Sequence, residues 1–312
     1  MREDFAELVP RSEELVRAFT GLTLEGFRSR AWVMSRGDWV HQNLRGMQRL
    51  LEPLAERMMS THPNRGEIRR VALGAQFGVL IGYVGRRVLG QYDVFLPPDD
   101  DGLLYFVGPN VAETERRFAL PSDDFRLWIS LHEVTHRVQF SAAPWLRQHM
   151  STMIDGYLDT IELDPKQLME QLRQAAEQAR THGVRGLDLV LLLLTPEQRD
   201  LFHQMQSMMS VLEGHASFVM NEVAVGRVGD LDKLRRSLVA RRQSRGLERG
   251  FQKVIGLETK MRQYDAGEKF VREVVARAGM EGLNRVWAEA AALPSTQEIA
   301  EPQRWVQRVA GG

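Results

Sequence analysis

Five consecutive residues, His132-Glu133-Val134-Thr135-His136, constrain this chain of 312 residues more than any other stretch in it. Residues four apart share one face of a helix, so both imidazoles can aim at a single ion only if the segment is helical. Glu133 stands beside the first histidine, where its carboxylate can hold and deprotonate a water that a metal activates. The alternative is a solvated helix carrying two chance histidines, and the flanking sequence argues against it. Pro121-Ser122-Asp123-Asp124 reads as a helix start, with Ser122 as cap and acids in the first turn, and Pro144 reads as the stop. Between them Leu127, Trp128, Leu131 and Thr135 supply a buried face, so the histidines belong to an amphipathic helix.

A zinc ion that does chemistry needs three protein ligands and one open position. The chain has no cysteine, so the third ligand must be His, Glu or Asp. The metzincin solution requires a glycine and a third histidine soon after the second, and Arg137 to Ala143 contain neither. His62 and His182 fall in polar turns, and His149 follows Pro144 too closely to turn back. The segment Val211-Leu212-Glu213-Gly214-His215-Ala216 is different, because it sets two ionisable groups in a methionine-rich apolar helix. Such groups are costly there unless paired or metal-bound. Gly214 leaves room for another backbone. Glu213 and His215 are two apart and cannot share a face, so one should bind the metal and the other touch substrate or a ligand. Glu213 is favoured as ligand, with His215 hydrogen-bonding the tetrahedral intermediate or a ligand.

The coarse organisation is helical. A leucine-rich stripe (Leu44, Met47, Leu50, Leu51, Leu54) predicts a helix from Trp39 to Met59, and Gly74, Gly78 and Gly82 predict a closely packed core helix. Pro97 to Gly102 reads as a turn leading into Leu103 to Val107, the best strand candidate in the chain. That strand either pairs with an extended substrate or is a buried connector. Asp164 to Arg180 reads as a solvated helix, Thr195-Pro196-Glu197 opens another, and Gly256 to Val309 returns to helical periodicity. The expected fold is mainly α, a divergent zincin-like arrangement with a small β-sheet. It is read as one domain over 1–312: a helical part to about 100, a metal-helix core from about 101 to 225 and a helical part from about 226.

Lys+Arg and Asp+Glu balance at 41 each, so no global field favours nucleic acid or a membrane surface. Arg235, Arg236, Arg241, Arg242 and Arg245 form a local basic cluster with few aromatics interleaved, which reads as a solvated face. The apolar run Leu189 to Leu194 is too short to span a bilayer, and the acidic N-terminus has no leader-like apolar core. A soluble, cytoplasmic protein is expected, acting on a peptide or amide small molecule.

The stretches L-H-E-V-T-H-R-V-Q-F, A-P-W-L-R, L-E-G-H-A, K-M-R-Q-Y and G-M-E-G-L-N-R-V-W together resemble the zincin-like metallopeptidase family. Its members are largely actinobacterial and chloroflexal, and are often labelled as associated with deazaflavin coenzyme biosynthesis. The resemblance runs from about Asp38 to Val309. It implies Zn2+ held by His132, His136 and Glu213, with Glu133 as base. Glutamate-type zincins also use a Tyr, His or Arg of a later helix to stabilise an oxyanion, which nominates Tyr264 or Arg262. The implied reaction is hydrolysis of a peptide or amide bond. The competing readings are a non-peptidolytic small-molecule metallohydrolase, or a degenerate zincin acting as a binding or structural protein.

Overall fold

The computed structural model describes residues 1–24, 26, 28–46, 78, 81–94, 102–160, 173, 194–242 and 257–311. Its elements begin with α1 (Arg2–Thr20), β1 (Arg30–Met34), β2 (Gly90–Tyr92), β3 (Leu103–Val107), α2 (Gly108–Phe118) and α3 (Ser122–Ala142). Then come α4 (Trp145–Asp159), α5 (Pro196–Ala224), α6 (Leu231–Arg242) and α7 (Leu257–Asn284). Short helical turns complete the chain to Ala310, and residues 36–46 and 81–85 are also helical. The fold is mainly α with a small sheet, as the sequence predicts.

That sheet has three strands in the order β1-β3-β2, with β1 parallel and β2 antiparallel to β3. Leu103–Val107 is therefore the central strand, and its backbone groups are used on both sides. It is the buried connector of the two readings above, not a strand free to pair with a substrate. β2 is one of the two edge strands, and the sequence reading did not pick it out. A three-residue strand beginning with glycine carries almost no period-two signal.

The metal helix α3 is enclosed by α1, β2 and α5. From α1, Phe5, Val9 and Val16 are completely buried, and Phe5 stacks on Phe106 of β3 with ring centroids 4.0 Å apart. Arg137, directly after the second histidine, is fully buried yet fully engaged. Its Nη1 donates to Glu13 of α1 at 3.0 Å and to Ser29 at 2.7 Å, while the Ser29 amide donates to the same Glu13 oxygen at 2.8 Å. A charge this far from water is tolerable only with such partners. Near the start of α3, Arg126 grips Glu115 through two nitrogens, at 2.7 and 2.9 Å, and also pairs with Asp4.

The helix starts follow two patterns. Thr195 caps α5 through a reciprocal capping box with Gln198, which satisfies two backbone donors at once. At α3 the cap falls on Pro121, in an extended conformation, and Ser122 is already helical without a side-chain cap bond. This corrects the expected Ser122 cap. Asp124 of the same turn accepts instead from the Gly229 amide at 2.9 Å, tying the helix start to the loop after α5.

Where α5 crosses α7, both helices carry glycine. A Cβ built on Gly214 would lie 2.5 Å from the Gly267 carbonyl oxygen, and one on Gly267 would lie 3.3 Å from the Gly214 Cα. The room predicted at Gly214 is thus filled by the backbone of α7. Among the described residues nothing lies within 4 Å of a Cβ at Gly78 or Gly82, and most of the segment that would form that helix lies outside the described residues. Gly74, the leucine stripe from Met47 onward, the turn over residues 97–101 and most of the Asp164 to Arg180 helix lie outside the described residues. Among the described residues, no helix is long and apolar enough to cross a membrane.

Candidate metal centre

One turn of α3 brings His132 and His136 together, rings edge to face at 85° with Nε2 atoms 3.3 Å apart. Across from them α5 delivers Glu213, whose Oε2 lies 3.5 Å from His132 Nε2 and 3.7 Å from His136 Nε2. Atoms held about 2.0–2.1 Å from one ion at tetrahedral angles stand about 3.3–3.4 Å from each other. The observed separations are close to that spacing, and the three donors fit a borderline-soft divalent ion such as zinc. Among the described residues these three form the one cluster of His, Asp or Glu side chains suited to a metal, with donor atoms within 4.8 Å of one another.

Glu133 is held against the edge strand. In β2 the Leu89 carbonyl accepts from Val107 at 2.9 Å, so the pairing alternates and the amides of Gly90 and Tyr92 face away from β3. The Tyr92 amide donates to the Glu133 carboxylate. Gly90 supplies the space, because a Cβ there would lie 2.6 Å from Glu133 Cγ and 2.7 Å from Oε1. Arg147 of α4 secures the strand's far end, donating to the Val94 carbonyl at 2.9 Å and to the Tyr92 hydroxyl.

The electrostatics follow from burial and neighbours. Burial raises the Glu133 carboxyl above the usual carboxylate range, against the pull of His132 and His136. Burial would also lower His136, but the Glu213 carboxylate overcomes it and lifts the imidazole to about 9. Burial would raise Glu213, yet His136 first and then the hydrogen bonds to both histidines hold it well below the normal range. His215 is pushed down to about 3 by burial, with His136 adding to the effect.

His132, Glu133 and His136 thus come together as the helical spacing predicts, and α5 brings Glu213, the favoured third ligand, to the same point. His215 is completely buried, its ring against Trp287 at 5.2 Å, and its Nδ1 lies 2.9 Å from the Gln139 side-chain nitrogen. Gln139 in turn meets His136 Nδ1 at 2.9 Å and the Leu212 carbonyl at 2.8 Å. Tyr264 and Arg262 belong to α7, but their side chains lie outside the described residues. His149 meets Trp145 of α4 edge to face. Sequence reasoning missed Gly90, Tyr92 and Gln139. Of these only Gln139 left a local signal, since a residue three beyond His136 shares its helix face.

A family model described as zincin-like metallopeptidase matches residues 1–306. The chain is also similar to a crystal structure from Chloroflexus aurantiacus, described as that of a candidate hydrolase with a novel fold. The two share 33% identity over 98% of this chain and 89% of the other, with a TM-score of 0.72. Comparison with the curated proteins finds no match. A helix-borne pair of histidines, a glutamate from a second helix and a match across nearly the whole length lead to one conclusion: the chain belongs to the zincin-like metallopeptidase family.

Proposed function

We propose that this chain is a zinc-dependent hydrolase of peptide or amide bonds. The observation that carries the reading is the near-tetrahedral spacing of His132 Nε2, His136 Nε2 and Glu213 Oε2 beside the buried Glu133 carboxylate. A bound zinc ion supplies Lewis-acid polarisation of a carbonyl and lowers the pKa of water toward about 7. The protein's own part is proton transfer. Glu133 accepts the proton of the attacking water and delivers it to the leaving nitrogen, and the carboxyl pKa raised by burial suits a group that must carry that proton. Gly90 and Tyr92 keep the carboxylate aimed while it does so.

The edge strand also bears on substrate size. Only Gly90 and Tyr92 of β2 face outward, and the Tyr92 amide is already spent on Glu133. Such an edge suits a short peptide or a single amide better than a long extended chain. A structural zinc site takes four protein ligands. The three-member cluster among the described residues supports the open, catalytic type instead.

The test is Glu133→Gln assayed beside the wild type on a panel of short peptides and N-acyl amides, with and without chelator. Chelator-sensitive turnover is expected in the wild type. The variant should retain its zinc and lose turnover by about 10²-fold or more. Full turnover in the zinc-loaded variant contradicts the mechanism.

A further inference from the structure

We infer that Gln139 is the positioning residue of this centre, fixing which nitrogen His136 offers to the metal and clasping the two ligand-bearing helices together. The inference rests on the metal-site reading above, and the donors and acceptors around Gln139 admit one consistent arrangement. A backbone carbonyl can only accept, so the Gln139 atom 2.8 Å from the Leu212 oxygen is the amide nitrogen. The other end of the amide is then the oxygen, and it faces His136 Nδ1 at 2.9 Å. That nitrogen must donate, which leaves Nε2 of the neutral ring bare and turned toward His132 and Glu213. The second amide hydrogen points to His215 Nδ1 at 2.9 Å, so His215 accepts there.

The clasp is also placed where it matters. Leu212 and His215, the two partners on α5, flank the third ligand Glu213, so one buried side chain of α3 holds α5 on both sides of it. His132 has no equivalent among the described residues, where its buried Nδ1 finds no hydrogen-bond partner. The orientation of the pair is therefore set through His136. His215 takes part as the wall behind Gln139, held in place by Trp287.

Three proteins test this: wild type, Gln139→Leu, and Gln139→Glu, which keeps an acceptor for His136 but loses both donors. Zinc affinity is read by competition with a chromophoric chelator, geometry by the visible spectrum of the cobalt-loaded protein, and folding by thermal unfolding of the metal-free form. Gln139→Leu should bind zinc about 10–100-fold more weakly and alter the cobalt bands. Gln139→Glu, which keeps the acceptor for His136 but loses the clasp to α5, should bind more tightly than Gln139→Leu and more weakly than wild type. Wild-type affinity and an unchanged cobalt spectrum in Gln139→Leu overturn the inference, as does an equal loss in both variants.

Should Gln139→Leu fail to fold, the wild type alone decides. Zinc-loaded protein labelled at histidine should show a slowly exchanging His136 Nδ1–H proton close to Gln139, and a His136 ring protonated at Nε2 overturns the inference. A wild type that binds no zinc defeats the metal-site reading itself, a result distinct from either outcome above.

Discussion

Gly90 shows how much one missing side chain can matter. It is the floor against which Glu133 rests, and a methyl group there would lie 2.6–2.8 Å from three atoms of that carboxylate side chain. The strand is anchored by its pairing to β3, so the carboxylate must move. Gly90→Ala should lower turnover by about tenfold or more while leaving bound zinc unchanged, because the atoms nearest that position all belong to Glu133, which is not a ligand. Assay and metal analysis on one preparation check it; unaltered turnover would mean that Glu133 needs no such support. The sequence made His132, Glu133 and His136 legible because helical spacing is a local property. Glu213 was legible because two ionisable residues beside a glycine in an apolar helix need a reason. Gly90 was not, since its importance lies in a contact with a residue 43 positions later.

Elements meet at backbone distance where α5 and α7 cross. Gly214→Ala pushes a Cβ against the Gly267 carbonyl, and neither helix can yield as a side chain would. A loss of about 1–3 kcal/mol or more is expected by denaturant unfolding, with zinc affinity also reduced because α5 carries Glu213. Loss of the Thr195 capping box at the start of that helix is milder. Thr195→Ala should cost about 1 kcal/mol and leave the metal site intact, read by the same two measurements. The metal helix, α5 and α7 were readable from periodicity and prolines, whereas α2 and α4 were not singled out. The sheet was not, apart from Leu103–Val107: β1 pairs in parallel with a strand more than seventy residues later, and such register is set by tertiary packing rather than by any local pattern. The Ser122 cap failed for a similar reason, because the surrounding turn is organised by Pro121 and by Asp124 reaching the Gly229 amide.

At the scale of the whole molecule, metal binding and pH are linked through the same cluster. With no metal bound, His136 keeps its proton up to about pH 9, opposed by burial but secured by Glu213. Its folded pKa lies above the ordinary histidine value of about 6.5, so the pairing stabilises the metal-free fold fully below about pH 6.5. That contribution is lost as pH rises through about 9. Zinc must displace the proton, so binding at pH 7 should release it and the apparent affinity should weaken roughly tenfold per pH unit of acidification. Calorimetry in two buffers of different ionisation enthalpy measures the release, and zero protons released would contradict the His136–Glu213 pairing. His215 acts in the opposite direction. It stays neutral in the fold down to about pH 3, so its burial costs stability as pH falls from about 6.5 toward 3.

The most direct measurement is the zinc content of the purified wild type against that of Glu213→Ala, by elemental analysis after identical dialysis at pH 7. One zinc per chain in the wild type and a loss of most of it in the variant are expected, because two histidines alone make a weak site. A metal-free wild type, or a variant that keeps its full complement, would contradict a centre built from His132, His136 and Glu213.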